Sequence, residues 1–546
     1  MLGLMQEWPL TVDKIFDHAK INHPNREIIT RSVEGPIVTT NYGQCYDRAK
    51  KLSNWLLRQG VTIGDRVASL AWNTANHLEC WYGTMGIGAI LHTLNPRLFA
   101  DQLIYIINHA EDEFIFTDLT FIPVLESLAK HVPTVRGYVV LTDKANMPNT
   151  TLPNVYCYEE ILEEQDTDVK WGGFDERTAA GLCYTSGTTG NPKGVMYSHR
   201  SNILHSLMSM QKDVLGFGCD DVVMPVVPMF HANAWGLALS CPAAGAKMIM
   251  PGSKMDGQSI YEMLETYGVT VTAAVPTVWL MLLQFLEATD SKLTSLRSVA
   301  VGGAALPERI LKAFEDKYGV ETKQVWGMTE TSPLGTACSL TPEVRALPPE
   351  EQRKIKLKAG RTPFGVELKV LREGQEAPRD GKTFGNLMVR GFAVCSAYYK
   401  GEGGGVLDKD GFFDTGDVAT IDEYGYMQIT DRSKDVIKSG GEWISTIDIE
   451  NIAVGVDGVA VAAVIGSYHP KWDERPLLVI ETKPDVEVLK EDVYKYLEGK
   501  IAKWWTPDDV VFVEKIPLGA TGKLNKLALR EMFKDYVLPT AVEVKA

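Results

Sequence analysis

Short apolar runs alternate along most of the chain with longer stretches whose apolar positions recur every three or four residues. Residues 15–20 and 47–59 carry the helical spacing. Residues 65–71 and 114–117 are apolar runs of the kind found in strands covered on both faces. Strands separated by helical stretches of ~10–15 residues predict a parallel sheet with crossover helices. Asn95-Pro96-Arg97 marks a turn between two such units. Further on, residues 221–228, 268–276 and 298–303 read as extended. Residues 140–178 read as irregular and acidic. Residues 341–360, rich in proline and charge, read as a surface excursion. After Gly411 the texture changes to short strands and turns, with a hairpin signal at Asp422-Glu423-Tyr424-Gly425. Polar density peaks over 431–435, and a new strand–helix pattern starts beyond it.

A chain of 546 residues is too long for a single core. The polar peak is therefore read as a boundary: an N-terminal domain over 1–430, a hinge over 431–436 and a C-terminal domain over 437–546, the last of ordinary size for a small α/β unit. Composition adds little except by exclusion. A 23% share of charged residues and a net charge of −15 argue against nucleic acid and against a polybasic membrane anchor. The eight cysteines include no Cys-x-x-Cys pair, which excludes a disulfide framework or a zinc site and predicts small buried thiols in a reducing compartment. Residues 1–8 contain Glu7 and no basic region, so they do not read as a signal peptide. The most apolar region, 269–286, is broken by Pro276 and by threonines, and reads as a strand followed by a helix rather than as a membrane span. A cytoplasmic protein without a stable membrane anchor is expected.

Chemistry is densest at Tyr184-Thr185-Ser186-Gly187-Thr188-Thr189-Gly190-Asn191-Pro192-Lys193-Gly194. Glycines let backbone N–H groups turn toward a ligand, hydroxyls add donors, and Lys193 adds a positive charge. A Walker loop places its lysine before Ser or Thr and opens into a helix. Here Lys193 precedes Gly194. Residues 195–199 read as a strand, and a helical pattern starts at Asn202, so the loop caps a β-hairpin. By composition alone it is a polar hairpin tip. As an eleven-residue string it resembles the phosphate loop of the adenylate-forming superfamily, which comprises acyl- and aryl-CoA synthetases, peptide-synthetase adenylation domains and beetle luciferases.

The resemblance runs from about residue 40 to 530 through further ordered motifs. It implies an α/β fold: a large N-terminal domain of parallel-sheet subdomains with a β-barrel-like part, and a small mobile C-terminal domain. It also implies site residues. Thr185, Ser186, Gly187, Thr188, Thr189, Gly190 and Lys193 would hold phosphates, with Thr185 as a second Mg2+ contact. Gly303, Ala304 and Ala305 would line adenine. In Trp326-Gly327-Met328-Thr329-Glu330, the indole would offer a stacking face, Thr329 a donor to phosphate, and Glu330 a hard oxygen for Mg2+. Asp417 would accept the ribose hydroxyls with Arg432 completing the contact, and Lys434 would be the hinge. Ser439, Gly440, Gly441, Glu442 and Trp443 would line the path of coenzyme A. Lys523 would be the catalytic lysine, in preference to Lys526 where the next helix begins. His231 would stand beside the acyl carboxylate, with Trp235, Val275, Trp279, Gly302 and Pro333 as the acyl wall.

The version Met229-Phe230-His231-Ala232-Asn233-Ala234-Trp235 is similar to that of medium-chain fatty acid–CoA ligases and of methylmercaptopropionate–CoA ligases. The implied activity is ATP- and Mg2+-dependent activation of a small carboxylic acid as an acyl-adenylate, then transfer to coenzyme A with rotation of the small domain. Trp235 points to a short or medium chain, 3-methylmercaptopropionate included. Two alternatives stay open: an adenylating enzyme with another acceptor, such as a carrier protein, and a non-catalytic ATP-binding regulator. For assembly the expectation is a homodimer, the commonest closed form.

Overall fold

A computed structural model describes residues 1, 3–185, 191–432, 434–439, 442–484, 486–518 and 524–543, the side chains of Glu442, Val542 and Glu543 excepted. Two large sheets dominate residues 1–340. One has seven strands, ordered Val155–Cys157, Gly137–Val140, Phe114–Thr117, Arg66–Leu70, Ile90–Thr93, Ala179–Tyr184 and Gly194–Ser198. All its pairs are parallel except the last, which is the antiparallel hairpin expected around 185–193. The other has eight strands, and its interior order is Glu321–Trp326, Ser298–Val301, Val271–Ala274, Val222–Pro225, Lys247–Met250 and Glu27–Arg31, all parallel. The central strands read as continuous apolar runs because both faces are covered.

What covers them decides where the cores lie. Helices Asp13–Asn22, Tyr42–Arg58, Ala75–Gly86 and Leu237–Ala244 fill the space between the two sheets. Phe16 stacks on Tyr82 there, with centroids 3.9 Å apart. Helices Ala100–Ala110 and Ile122–Leu128 back the first sheet, and Gly257–Thr266 and Pro276–Thr289 back the second. Residues 269–286 are thus a buried strand and helix. Among the described residues no helix is long and apolar enough to cross a membrane. Six cysteines are buried, Cys395 is half-buried and Cys219 is exposed.

The barrel-like part is a five-stranded antiparallel sheet: Gln375–Glu376, Val366–Arg372, Gly385–Gly391, Phe413–Ile421 and Met427–Arg432. A second α/β unit follows. Its long strands Val459–His469 and Asp473–Thr482 pair with each other, Asp473–Thr482 also pairs with Ile437–Ser439 and Asp509–Val513, and helices Thr446–Ala453 and Lys490–Leu497 cover one face.

Four local expectations need correction. Residues 140–178 are not all irregular: they hold the edge strand Val155–Cys157 and the helix Tyr158–Glu163, anchored by Tyr158, whose hydroxyl donates to Glu79 at 2.7 Å. The change to antiparallel texture comes at Val366, well before Gly411. His199 is not the end of a strand. It opens the helix His199–Ser209, because the Ser198 hydroxyl caps it, accepting from the Ser201 amide at 3.0 Å. Residues 341–360 form two short helices pinned by buried Val344 and Ile355 against Tyr426.

Candidate active site

Parallel sheets bind ligands beyond the carboxyl ends of their strands. Strands Ala179–Tyr184, Val222–Pro225, Ser298–Val301 and Glu321–Trp326 all lead into one cavity of about 610 Å3. Its polar lining includes Thr185, Asn191, Lys193, His231, Thr329, Glu330, Tyr398 and Arg432. Its apolar lining includes Val214, Leu215, Trp235, Val325, Pro333 and Leu334. Lys434, residues 524–527 and Arg530 complete the wall. Ser186, Gly187, Thr188, Thr189, Gly190, Gly440, Gly441 and Lys523 lie outside the described residues.

Glu330 follows the strand Glu321–Trp326 and is 6% exposed. The Tyr398 hydroxyl donates to its Oε1 at 2.6 Å. Burial pushes its carboxyl above the usual range, opposed by that hydrogen bond and by the charge of Arg432. The loop carrying it is tightly folded: a Cβ on Gly327 would stand 1.5 Å from the Pro333 carbonyl oxygen.

Asp417 and Arg432 face each other across the hairpin of strands Phe413–Ile421 and Met427–Arg432, where the register makes them partners. Arg432 Nε lies 2.8 Å from Asp417 Oδ1. The Trp326 indole N–H donates to Oδ2 at 3.0 Å. Trp326 is therefore a buttress for the carboxylate, its ring set against Gly335, where a Cβ would come within 2.2 Å of it. It is not among the residues lining the cavity.

The apolar side is shaped by an unusual backbone. Ala232, Asn233, Ala234 and Trp235 are all left-handed, with φ from 41° to 57°, and Gly236 follows at 79°. Such residues cost roughly 1–2 kcal/mol each, so packing must hold the turn. The Cys183 thiol donates to the Asn233 side-chain Oδ1 at 3.4 Å. His205 packs against Gly236, where a Cβ would meet its Cε1 at 2.3 Å. Burial pushes the His205 pKa down to about 4, so its ring is neutral. The turn sets the Trp235 indole over Gly302, where a Cβ would stand 2.9 Å from Cη2. Gly303 lies beside Val275, and Pro333 lines the cavity with Trp235 and Gly303, whereas Gly302 and Val275 stand behind that lining.

Trp279 does not. It is fully buried behind the second sheet, edge-on to Phe314, and its indole donates to the Ala300 carbonyl at 3.3 Å. Ala304 is exposed and Ala305 half-buried, and neither lines the cavity. Gly303, Gly327 and Met328 do. Ser439 is buried and receives a 3.4 Å hydrogen bond from Arg475. Trp443 packs on Phe384 with centroids 5.4 Å apart.

Lys434 follows the strand Met427–Arg432, and its carbonyl accepts from Arg530 at 3.3 Å. Burial lowers the pKa of its ammonium. Around it a polar seam joins the two units: Ser445 Oγ donates to the Thr430 carbonyl at 2.6 Å, and the Thr446 amide to Asp431 at 2.9 Å. Lys526 opens the helix Lys526–Met532, ion-paired to Glu450 at 2.8 Å and hydrogen-bonded to the Thr446 hydroxyl. Its charge is held inside the seam.

Sequence reasoning missed Tyr398, His205 and the left-handed turn. For the turn, the small residues Ala232 to Gly236 were the only readable signal.

The AMP-binding enzyme family matches residues 16–399, and the AMP-binding enzyme C-terminal domain matches residues 448–523. The 3-methylmercaptopropionyl-CoA ligase of Ruegeria lacuscaerulensis is 47% identical over 536 residues, 98% of this chain and 99% of its own. The medium-chain-fatty-acid–CoA ligase of Ectopseudomonas oleovorans is 43% identical over 545 residues, covering 100% of both chains. The crystal structure of ATP-bound MatB from Rhodopseudomonas palustris superposes with a TM-score of 0.81 at 26% identity, over 97% of this chain and 99% of that one. Matched along both units and similar to these proteins over nearly its full length, the chain belongs to the AMP-binding enzyme family.

Proposed function

We propose that this protein is an AMP-forming carboxylic acid–CoA ligase acting on a short- or medium-chain acid, 3-methylmercaptopropionate among the candidates. The observation that carries the reading is the cavity, in which cationic and oxygen donors share one space with an apolar wall. Full-length similarity to ligases of this kind supports it.

In the first half-reaction a carboxylate oxygen attacks the α-phosphorus of ATP, the bond to the bridging oxygen breaks, and pyrophosphate leaves. Both reactants are anions, so catalysis is positioning and charge neutralisation. Lys193, the phosphate hairpin and Thr329 hold the phosphates. His231 stands at the carboxylate, and Trp235, Gly302, Val275 and Pro333 receive the acyl chain. The donor set fits Mg2+: one carboxylate, Glu330, with the Thr185 and Thr329 hydroxyls in the same lining, suits an ion that arrives on phosphates and takes few protein ligands. When bound, the ion supplies charge neutralisation on the triphosphate. Asp417, fixed by Arg432 and Trp326, accepts the ribose hydroxyls. In the second half-reaction the thiol of coenzyme A loses its proton, its sulfur attacks the acyl carbonyl, and AMP leaves. The reading divides the chain into domains over 1–430 and 437–546, and rotation about Lys434 exchanges the Lys523 face for the Gly440-Gly441 face. It takes the protein as a cytoplasmic homodimer.

The test is AMP formation from ATP and Mg2+, with and without coenzyme A, over acetate, butyrate, hexanoate, octanoate, palmitate, 3-methylmercaptopropionate and benzoate. Coenzyme A-dependent turnover peaking at one short or medium acid is expected. Pyrophosphate release indifferent to coenzyme A would instead assign another acceptor. Within this reading, Arg432→Ala should raise KM for ATP about tenfold and change kcat less, because it loosens a contact made in both ground and transition states. Kinetics at saturating acid check it, and an unchanged KM would remove Asp417–Arg432 from the ribose site.

A further inference from the structure

One segment that no motif covers ties the nucleotide side of the cavity together. Residues 393–403 link strand Gly385–Gly391 to strand Phe413–Ile421 and cross the site as a strap. The Cys395 amide donates to the Glu330 carbonyl at 2.8 Å, and the Ser332 hydroxyl donates to the Ala393 carbonyl at 2.7 Å. These bonds fix the backbone of the loop carrying Glu330. At the other end, the Tyr105 hydroxyl donates to Glu402 at 2.7 Å, and Lys400 pairs with Glu111 at 2.7 Å, which anchors the strap to the first sheet's helices.

Tyr398 lies between these anchors and lines the cavity. Its hydroxyl holds Glu330 Oε1 at 2.6 Å, and its ring centroid lies 4.8 Å from Lys193 Nζ, within cation–π reach. Gly403 leaves room for Lys193 beside the ring: a Cβ there would stand 2.8 Å from Nζ. Phe413 packs edge-on against the Tyr398 ring at 6.2 Å and steadies it. One side chain therefore touches the site's buried carboxylate and its hairpin cation at once.

We propose that Tyr398 is a positioning residue that sets the placement of Glu330 and Lys193 relative to one another, so that the carboxylate meets Mg2+ and the ammonium meets phosphate in register. The hydroxyl fixes the carboxylate and the ring face fixes the ammonium. This rests on the reading of Glu330 and Lys193 given under Proposed function.

The two contacts separate by mutation. Tyr398→Phe keeps the ring and loses the hydroxyl; Tyr398→Leu loses both. ATP binding is measured by calorimetry across a Mg2+ titration, with melting curves of each variant alongside. A hydrogen bond to a charged group is worth ~1.5–3 kcal/mol, so Tyr398→Phe should raise the Mg2+ concentration for half-maximal ATP binding about tenfold and leave affinity at saturating Mg2+ within about twofold. Tyr398→Leu should show the same Mg2+ shift and also lose about three- to tenfold in ATP affinity at saturating Mg2+. A purely structural tyrosine would lower the melting temperature and leave the Mg2+ dependence at the wild-type value, and that result overturns the proposal. Glu330→Gln separates the two failures. If it shifts the Mg2+ dependence and Tyr398→Phe does not, the positioning role is wrong. If Glu330→Gln itself shifts nothing, the role read for Glu330 is wrong, and the proposal goes with it.

Discussion

The Lys523→Ala protein is expected to lose adenylation and keep thioester formation. AMP production from ATP and acid should fall on the order of 10²–10³-fold, the usual cost of removing one preorganised electrostatic contact. Transfer of a supplied acyl-adenylate to coenzyme A should stay within about twofold of wild type, because a contact made in one transition state is lost only there. The reason is charge. Two unit negative charges ~4 Å apart repel by about 4 kcal/mol at an effective dielectric near 20, and a bridging ammonium removes that barrier. Lys523 lies outside the described residues, but its flanks are informative. Leu518 and Leu524 pair as an antiparallel bridge, and Leu524 with residues 525–527 and Arg530 lines the cavity. Lys526, the nearest alternative, is buried in pairs with Glu450 and Thr446 and has no charge to spare. Separate assays of the two half-reactions decide the matter. An equal loss in both would mean that Lys523 supports folding or domain placement rather than the first chemical step.

The second large effect is expected at a glycine. Gly327→Ala should abolish detectable ATP binding and lower the melting temperature by several degrees. A Cβ at this position would meet the Pro333 carbonyl oxygen at 1.5 Å and its carbon at 2.3 Å. Both are backbone atoms and cannot swing aside as a side chain would. Overpacking of this kind costs ~1–3 kcal/mol and occasionally more, and here relief means opening the loop over 327–335. That loop carries Met328, Thr329, Glu330 and Pro333 into the cavity, so the strain falls on the site itself. Gly405 is the control: nothing lies within 4 Å of a Cβ there, and Gly405→Ala should bind ATP as wild type does. Calorimetric ATP binding and thermal melts of both variants test this. Wild-type binding by Gly327→Ala would show that the loop relaxes without harm.

Much of the site could be read from the sequence because its pieces are local. The phosphate hairpin is one uninterrupted string, and Asp417 and Arg432 belong to one hairpin whose strands, Phe413–Ile421 and Met427–Arg432, set them opposite each other. The parallel sheets were legible for a similar reason: a strand covered on both faces has to be apolar throughout, as Phe114–Thr117 is. What escaped depends on contacts between distant residues. Tyr398 meets Glu330 across 68 positions, and no spacing rule connects a tyrosine in one loop with a carboxylate in another. The left-handed turn Ala232–Gly236 escaped because alanine and tryptophan ordinarily avoid that conformation, so local preference pointed away from it. Trp326 shows a subtler limit. Its position in the motif was plain, but the direction of its indole, toward Asp417 instead of the cavity, depends on Gly335 making room for the ring.

The seam beside Lys434 bears on timing. Thr430 and Asp431 are hydrogen-bonded to Ser445 and Thr446, and Asp431, Thr446, Lys526 and Glu450 form one buried polar chain. In the rotation proposed above, a turn about Lys434 parts the bonds that Thr430 and Asp431 make to Ser445 and Thr446, whereas Lys526 and Glu450 travel with Thr446. The Asp431 carboxylate accepts from both the amide and the hydroxyl of Thr446, so that proposed turn would have to give up both bonds at once. On that reading the dwell time of the arrangement seen here is set by Asp431 and Thr446, away from the reacting groups.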